Sequence, residues 1–130
     1  TFGDATFRGS MGGRHLNQPV VGMSPTSSGN GYWLVARDGG IFTFGDARFR
    51  GSMGGTPLNA PVVGMAPAPD GGGYWLLGAD GGIFTFGSAQ YRGSLAASGL
   101  TAVGMAPTPS GNGYWIVTSD GGVHAFGDAT

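Results

Sequence analysis

An arginine stands in the same short motif three times along the chain. The motif is Phe-Arg-Gly-Ser at Arg8 and Arg50, and Tyr-Arg-Gly-Ser at Arg92. A guanidinium presents a planar fork of N–H donors that suits carboxylates, phosphates and sugar hydroxyls. The alternative is a solvated charge at a sheet edge, paired with Asp4 or Asp46 four residues earlier, and such pairs stabilise little. The repetition therefore predicts a recurring weak ligand site or a recurring edge charge.

The other polar residues indicate turns more than metal chemistry. Asp38, Asp80 and Asp120 each precede two glycines, and Asp-Gly between apolar runs is a strong hairpin signal. A calcium loop needs several oxygen donors at alternating positions, and none follows these aspartates. His15 and His124 stand in unrelated parts of the repeat. We therefore predict neither a metal site nor a cofactor.

Catalytic motifs are missing from the sequence. The chain contains no Cys, no Gly-x-Ser-x-Gly and no His-Glu-x-x-His. It also contains no Glu, so a glycosidase pair would need two of the aspartates that the turns require. We predict a protein without catalytic activity, and a hydrolase is the least favoured alternative.

Composition excludes several further classes. The charged residues are six Arg and seven Asp, with no Lys and a net charge of -1. Without a basic cluster, the chain lacks the charge that nucleic acid binding requires. No apolar run reaches the roughly 20 residues needed to span a bilayer. Strong helix formers are rare and no helical periodicity is present, so we predict an all-β protein.

A unit of about 42 residues is repeated three times along the chain. Val-Gly-Met recurs at Val21, Val63 and Val103, so the last step is 40 residues. The 29 glycines return to the same places in each copy, which indicates turns and close packing and not disorder. We expect one repeat domain over residues 1–130, with units at about 2–43, 44–85 and 86–125 and an overlapping piece at 126–130.

The middle unit predicts four short strands. They cover residues 61–66, 74–77, 83–86 and 90–92, separated by turn-forming segments. Four antiparallel strands in about 42 residues are typical of a β-propeller blade, and Gly64 suits a crowded inner strand. A β-trefoil has three four-stranded units of similar length and is the main alternative; a β-prism is a weaker one. We predict propeller-type blades, three in this chain.

A longer motif carries a family resemblance. Residues 31–47, Gly-Tyr-Trp-Leu-Val-Ala-Arg-Asp-Gly-Gly-Ile-Phe-Thr-Phe-Gly-Asp-Ala, resemble the repeat found in tandem arrays of secreted and cell-wall-associated proteins of high-GC Gram-positive bacteria. The layout is more distantly similar to WD-repeat blades, without the Trp-Asp dipeptide. The resemblance covers the whole chain. It implies a propeller-like architecture and an extracellular or cell-wall-associated location, and it supplies no ligand residues.

Aromatic residues and variable loops are the remaining candidates. Trp33, Trp75 and Trp115 occupy one slot per unit, where they form either core between blades or platforms for sugar stacking; we favour the core. The loops at 13–18 and 55–60 vary most between copies. We expect partner-specific contacts there, from the side chains of Arg14, His15, Asn17 and Asn59.

Both ends of the chain carry the same five residues, Phe-Gly-Asp-Ala-Thr, at 2–6 and 126–130. Both ends therefore fall at the same point of the repeat, which is typical of a segment of a longer array or of a processed form. Three blades are too few for a propeller, which usually has four to eight. We therefore expect two chains to join head to tail into a six-bladed ring, with residues 6–8 completing the partner's last blade.

These patterns together predict a non-catalytic extracellular binding module. The favoured ligand is a glycan or cell-wall polymer, bound weakly at several sites and strengthened by multivalency. The principal alternative is a structural or protein-interaction scaffold without a small ligand.

Overall fold

The computed structural model describes all 130 residues, and the protein is all-β. Its nine strands form three separate antiparallel sheets of three strands each, one per repeat, in chain order within each sheet. No helix that could traverse a bilayer is present. The strands are β1 (Val20–Pro25), β2 (Gly31–Ala36), β3 (Ile41–Gly45), β4 (Val62–Pro67), β5 (Gly73–Gly78), β6 (Ile83–Gly87), β7 (Ala102–Pro107), β8 (Gly113–Thr118) and β9 (Val123–Gly127).

The Asp-Gly-Gly motifs form the turns between the second and third strands of each sheet. In the first sheet the Asp38 carboxylate accepts a hydrogen bond from the Gly40 N–H at 3.0 Å. Gly39 between them has a φ of 86°, a left-handed conformation that favours glycine. Asp80 and Asp120 accept the corresponding bonds. The predicted turn role of these aspartates is confirmed.

The predicted fourth strand does not join a sheet. Residues 90–92 form no ladder with β6, and residues 5–10 likewise belong to no sheet. Aromatic side chains bond the backbone of this segment instead. The Trp75 indole N–H donates to the Gln90 carbonyl at 2.9 Å, and the Tyr114 hydroxyl accepts from the Arg92 N–H at 2.9 Å. The structure differs from the prediction because side chains, and not a neighbouring strand, satisfy these backbone groups.

Strand alternation gives every sheet two different apolar faces. We call one the tyrosine face; in the first sheet it carries Met23, Tyr32, Leu34 and Phe42, which the strand register aligns. The opposite side is the tryptophan face, with Ser24, Trp33, Val35 and Ile41. The second and third sheets have the same register and therefore the same two faces.

The tryptophan face of each sheet packs against the tyrosine face of the next. Trp33 meets Tyr74 edge-on with ring centroids 5.8 Å apart, and Trp75 meets Tyr114 at 5.6 Å. Each contact lies in its own buried cluster of aromatic and aliphatic side chains. Trp33 and Trp75 are buried, which confirms the core interpretation for these two residues.

The three sheets form an open array. Strand β1 lies beside β4 and β4 lies beside β7, whereas no Cα atoms of the first and third sheets' strands approach within 8 Å. A β-trefoil closes on itself with three units, so the trefoil alternative is wrong. The middle sheet is the only one with both faces covered.

Removing one hydroxyl tests the contact between units. The Tyr74 hydroxyl accepts from the Arg50 N–H at 2.9 Å and donates to the Gly51 carbonyl at 2.5 Å. Tyr74→Phe leaves both backbone groups unpaired, so we expect a loss of about 1–3 kcal/mol in the free energy of unfolding. Urea denaturation measures this loss.

The matched control is Tyr32→Phe. Tyr32 makes the same two bonds, to the Arg8 N–H and the Gly9 carbonyl, but it is only half-buried on the uncovered first sheet. Water can replace the lost hydroxyl there, so the loss should be smaller. Equal losses in the two variants would contradict the role given to burial between sheets.

Candidate functional site

The first strands of the three units end at one side of the array, and their ends enclose a cleft. Each of these strands finishes on a proline, Pro25, Pro67 and Pro107. The cleft has a volume of about 510 Å³ and is lined by residues of all three units. Its charged residues come from the segment after β3. We call it the proline cleft and define it by the three prolines together with Asp46, Arg48 and Arg50.

The two arginines are held at the backbone by aromatic side chains. The Trp33 indole N–H donates to the Arg48 carbonyl at 2.9 Å. The Arg50 N–H donates to the Tyr74 hydroxyl at 2.9 Å. Because Trp33 and Tyr74 also form the contact between the first two sheets, the core fixes the backbone that carries both guanidiniums.

Glycine after the arginine is a steric requirement. Gly51 has a φ of 127°, and a Cβ there would lie 2.6 Å from the Phe86 ring. A side chain at residue 51 would therefore displace either the ring or the segment carrying Arg50. The Arg-Gly pair of the repeated motif is explained by this close approach.

The three predicted arginine sites are not equivalent. Arg8 donates to the Asn30 side-chain oxygen at 3.2 Å, and Arg92 donates to that of Asn112 at 3.3 Å. In the middle unit Gly72 stands where the other units have asparagine. The Arg50 guanidinium therefore lacks this amide partner, and it lines the cleft.

Asp46 supplies a carboxylate to the cleft. Its oxygens accept hydrogen bonds from the Ser28 hydroxyl and, at 2.7 Å, from the Thr26 hydroxyl. These bonds, that of Ser28 foremost, hold the pKa of Asp46 below its usual value, and Arg8 lowers it further. Arg8, and not Arg50, is the arginine that lowers the pKa of Asp46, so the pairing of Asp46 with Arg50 offered by the edge-charge alternative is not seen.

The hydrogen bond between Ser28 and Asp46 has a counterpart in the middle unit, where serine and aspartate have exchanged positions. Ser88 takes the position of Asp46, and Asp70 takes that of Ser28. The Ser88 hydroxyl donates to the Asp70 carboxylate at 2.7 Å, and this bond lowers the pKa of Asp70. The paired exchange is visible in the sequence once the copies are aligned, and it marks two positions in contact.

The loop residues predicted as partner contacts lie apart from the proline cleft. Arg14, His15 and Asn17 are exposed and line no cavity of the structure. Asn59 lines a separate groove of about 320 Å³ together with Tyr91. The structure therefore does not bring the predicted residues into one site; among them, only Arg50 lines the cleft.

Three exposed aromatic rings lie at positions that the sequence did not single out as stacking platforms. The possible stacking platforms are Phe7, Phe49 and Tyr91, the residues directly before the three motif arginines. Arg48 was also missed, since only the middle of the three corresponding positions, Thr6, Arg48 and Gln90, is charged. A difference between otherwise repeated units was the available signal for Arg48.

No group of three or more His, Asp or Glu side chains is arranged to hold a metal ion. Comparison with protein-family models finds no match, and no curated protein matches the chain.

The Ser–Asp pairs predict the pH dependence of stability. Hydrogen bonds lower the pKa of Asp46, Asp70 and Asp128 in the folded protein, the largest being from Ser28, Ser88 and Ser110 respectively. A carboxyl whose pKa is lower when folded stabilises the protein above its unfolded pKa of about 3.9. We expect this contribution to be lost as the pH falls below about 4, through the folded pKa values. Thermal unfolding at pH 7 and pH 3 measures it.

Variants of the first pair provide the control. Asp46→Ser alone should narrow the stability difference between pH 7 and pH 3. Combining Ser28→Asp with Asp46→Ser reproduces the arrangement of Asp70 and Ser88 in the middle unit and should restore the difference. If the double variant behaves like Asp46→Ser, the proposed exchange of partners is wrong.

Proposed function

We propose that this chain is a non-catalytic, extracellular binding module that holds a glycan or cell-wall polymer in the proline cleft. One observation carries the proposal. Arg48 and Arg50 line the cleft on a backbone fixed by Trp33 and Tyr74, and neither guanidinium donates a hydrogen bond within the chain. Two such forks lining one cleft favour a ligand with carboxylate, phosphate or closely spaced hydroxyl groups.

The walls of the cleft suit a sugar ring. Proline rings from three units provide apolar surface. The hydroxyls of Thr26 and Ser28 are bonded to Asp46, so the polar wall is internally ordered before a ligand arrives. Polar groups fixed in advance around apolar surface are typical of small-ligand sites. A volume of about 510 Å³ accommodates a ligand of one or two sugar residues.

We further propose that the three sheets are blades of a propeller-type array. Adjacent first strands β1, β4 and β7 occupy the positions of inner strands around an axis, and the array remains open after three units. The extended segment after each third strand takes the place of the outer strand. The resemblance of residues 31–47 to repeats of secreted, cell-wall-associated proteins supports the extracellular location.

A scaffold without a small ligand is the second candidate. It is favoured by the uncovered apolar faces of the first and last sheets, where Met23 and Val123 are exposed. Exposed apolar patches of this kind mark protein–protein interaction surfaces. The two candidates make different predictions for isolated glycans.

Substitution of the cleft arginines tests glycan binding. A glycan array that includes acidic wall polysaccharides identifies the ligand, and calorimetry then gives its affinity. We expect Arg50→Ala and Arg48→Ala each to weaken binding about tenfold or more, since a hydrogen bond to a charged group contributes about 1.5–3 kcal/mol. Absence of binding across the array would favour the scaffold.

Two further variants sharpen this test. Arg37→Ala removes the same charge at the opposite end of the strands and should leave binding unchanged, so an equal loss there would indicate only general electrostatic attraction. Gly72→Asn restores the amide that occupies Arg8 and Arg92 in the other units. It should weaken binding by engaging Arg50. The new Cβ would lie 2.9 Å from the Ser88 hydroxyl, so thermal unfolding must first confirm that this variant folds.

A further inference from the structure

The middle sheet has a neighbouring sheet on each face and is the most buried of the three. All six residues of β5 are buried. Its tyrosine face is covered by the first sheet, and its tryptophan face is covered by the third. Each of the two outer sheets has the same two faces but only one neighbour.

The first sheet leaves its tyrosine face uncovered. Val20 is 37% exposed, whereas Val62, its equivalent in the middle sheet, is 1% exposed. Met23 is 59% exposed, and Tyr32 is only half-buried although Tyr74 is fully buried. The face borders a concavity of about 830 Å³ whose lining contains one charged side chain, that of Asp4.

The third sheet leaves its tryptophan face uncovered. Val123 is 63% exposed, whereas its middle-sheet equivalent Ile83 is 9% exposed. Trp115 and Val117 are half-buried, and Ala125 is exposed. The strand register places Ala106, Trp115, Val117, Val123 and Ala125 on this face, and all five side chains are apolar.

The two uncovered faces are complementary, because the chain itself joins such faces twice. Trp33 with Tyr74 and Trp75 with Tyr114 have ring-centroid distances within 0.2 Å of each other, at 5.8 and 5.6 Å, and interplanar angles of 62° and 64°. The last tryptophan face lacks a tyrosine face, and the first tyrosine face lacks a tryptophan face. The missing partner of each is present at the other end of the same chain.

We propose that the occupant of both faces is a second copy of this chain, bound head to tail. The tryptophan face at Trp115 of each chain packs against the tyrosine face at Tyr32 of the other. Two chains then close a ring of six sheets, within the four to eight blades usual for a propeller, whereas three chains would give nine. This inference is independent of glycan binding in the proline cleft.

The oligomeric mass of the 130-residue chain tests the proposal. Sedimentation velocity or light scattering should give the mass of two chains of 13.0 kDa each. A monomer, or a mass that keeps increasing with concentration as in an open filament, overturns the closed ring.

Two charged substitutions test the head-to-tail geometry. Met23→Asp lies on the first tyrosine face, and Val123→Asp lies on the last tryptophan face; both residues are largely exposed in the single chain, which therefore tolerates the change. In a head-to-tail dimer each junction contains both faces, so either variant alone should give monomers. If either keeps the dimer mass, the faces pair with themselves or do not pair, and the proposal is wrong.

The control is Thr56→Asp, an exposed loop position in neither end face, which should remain dimeric. Near-ultraviolet circular dichroism separates dissociation from unfolding. The buried Trp33 and Trp75 should retain their native signal in the monomeric variants. Loss of the Trp33 and Trp75 signal on dissociation would mean that a single chain does not hold its fold, which contradicts an association of preformed arrays.

Discussion

The rest of the structure depends on the contact between a tryptophan of one sheet and a tyrosine of the next. Each three-stranded sheet has apolar side chains on both faces and needs a neighbouring element to cover them. The Trp–Tyr contact buries the faces of neighbouring sheets in two clusters. The polar atoms of the same two rings then bond the extended segment between the sheets. One pair of aromatic residues thus provides both the apolar burial and the hydrogen bonds that position the chain between units.

This double use of the aromatic rings links the core to the surface. The segment held by Trp33 and Tyr74 carries Arg48 and Arg50, so the geometry of the proline cleft follows from the packing of the first two sheets. Its chemistry follows from departures from the repeat. Glycine at residue 72 frees one guanidinium, and arginine at residue 48 adds a second. A repeat of identical units would have three equivalent arginines, each bonded to an asparagine.

The tyrosine face of the first sheet and the tryptophan face of the third sheet are exposed because neither has a neighbouring sheet to cover it. In a linear array each unit contacts only its neighbours, so the first and last units expose what the interior units bury. The exposure of Val20 and Val123 and the burial of Val62 and Ile83 at the corresponding positions result from this geometry. The residues compared in each pair are the same or similar in type, so their position in the array decides whether they are exposed to solvent. The self-association that we propose removes both ends by closing the array.

The sequence by itself determined the period, the all-β class, the Asp-Gly turns and the first three of the four predicted strands of each unit, because these depend on local spacing and turn chemistry. It also indicated that Trp33 and Trp75 form core, because each stands in a strand with apolar residues on both sides. It did not determine that residues 90–92 stay outside the sheet, where hydrogen bonds with the side chains of Trp75 and Tyr114 replace a strand ladder. Those partners are 15 and 22 residues away, and hydrogen bonds between residues so far apart leave no local spacing pattern in the sequence. Only the tertiary structure decided that the array stays open and that Arg50 lines a cleft, because both depend on how separate sheets approach one another.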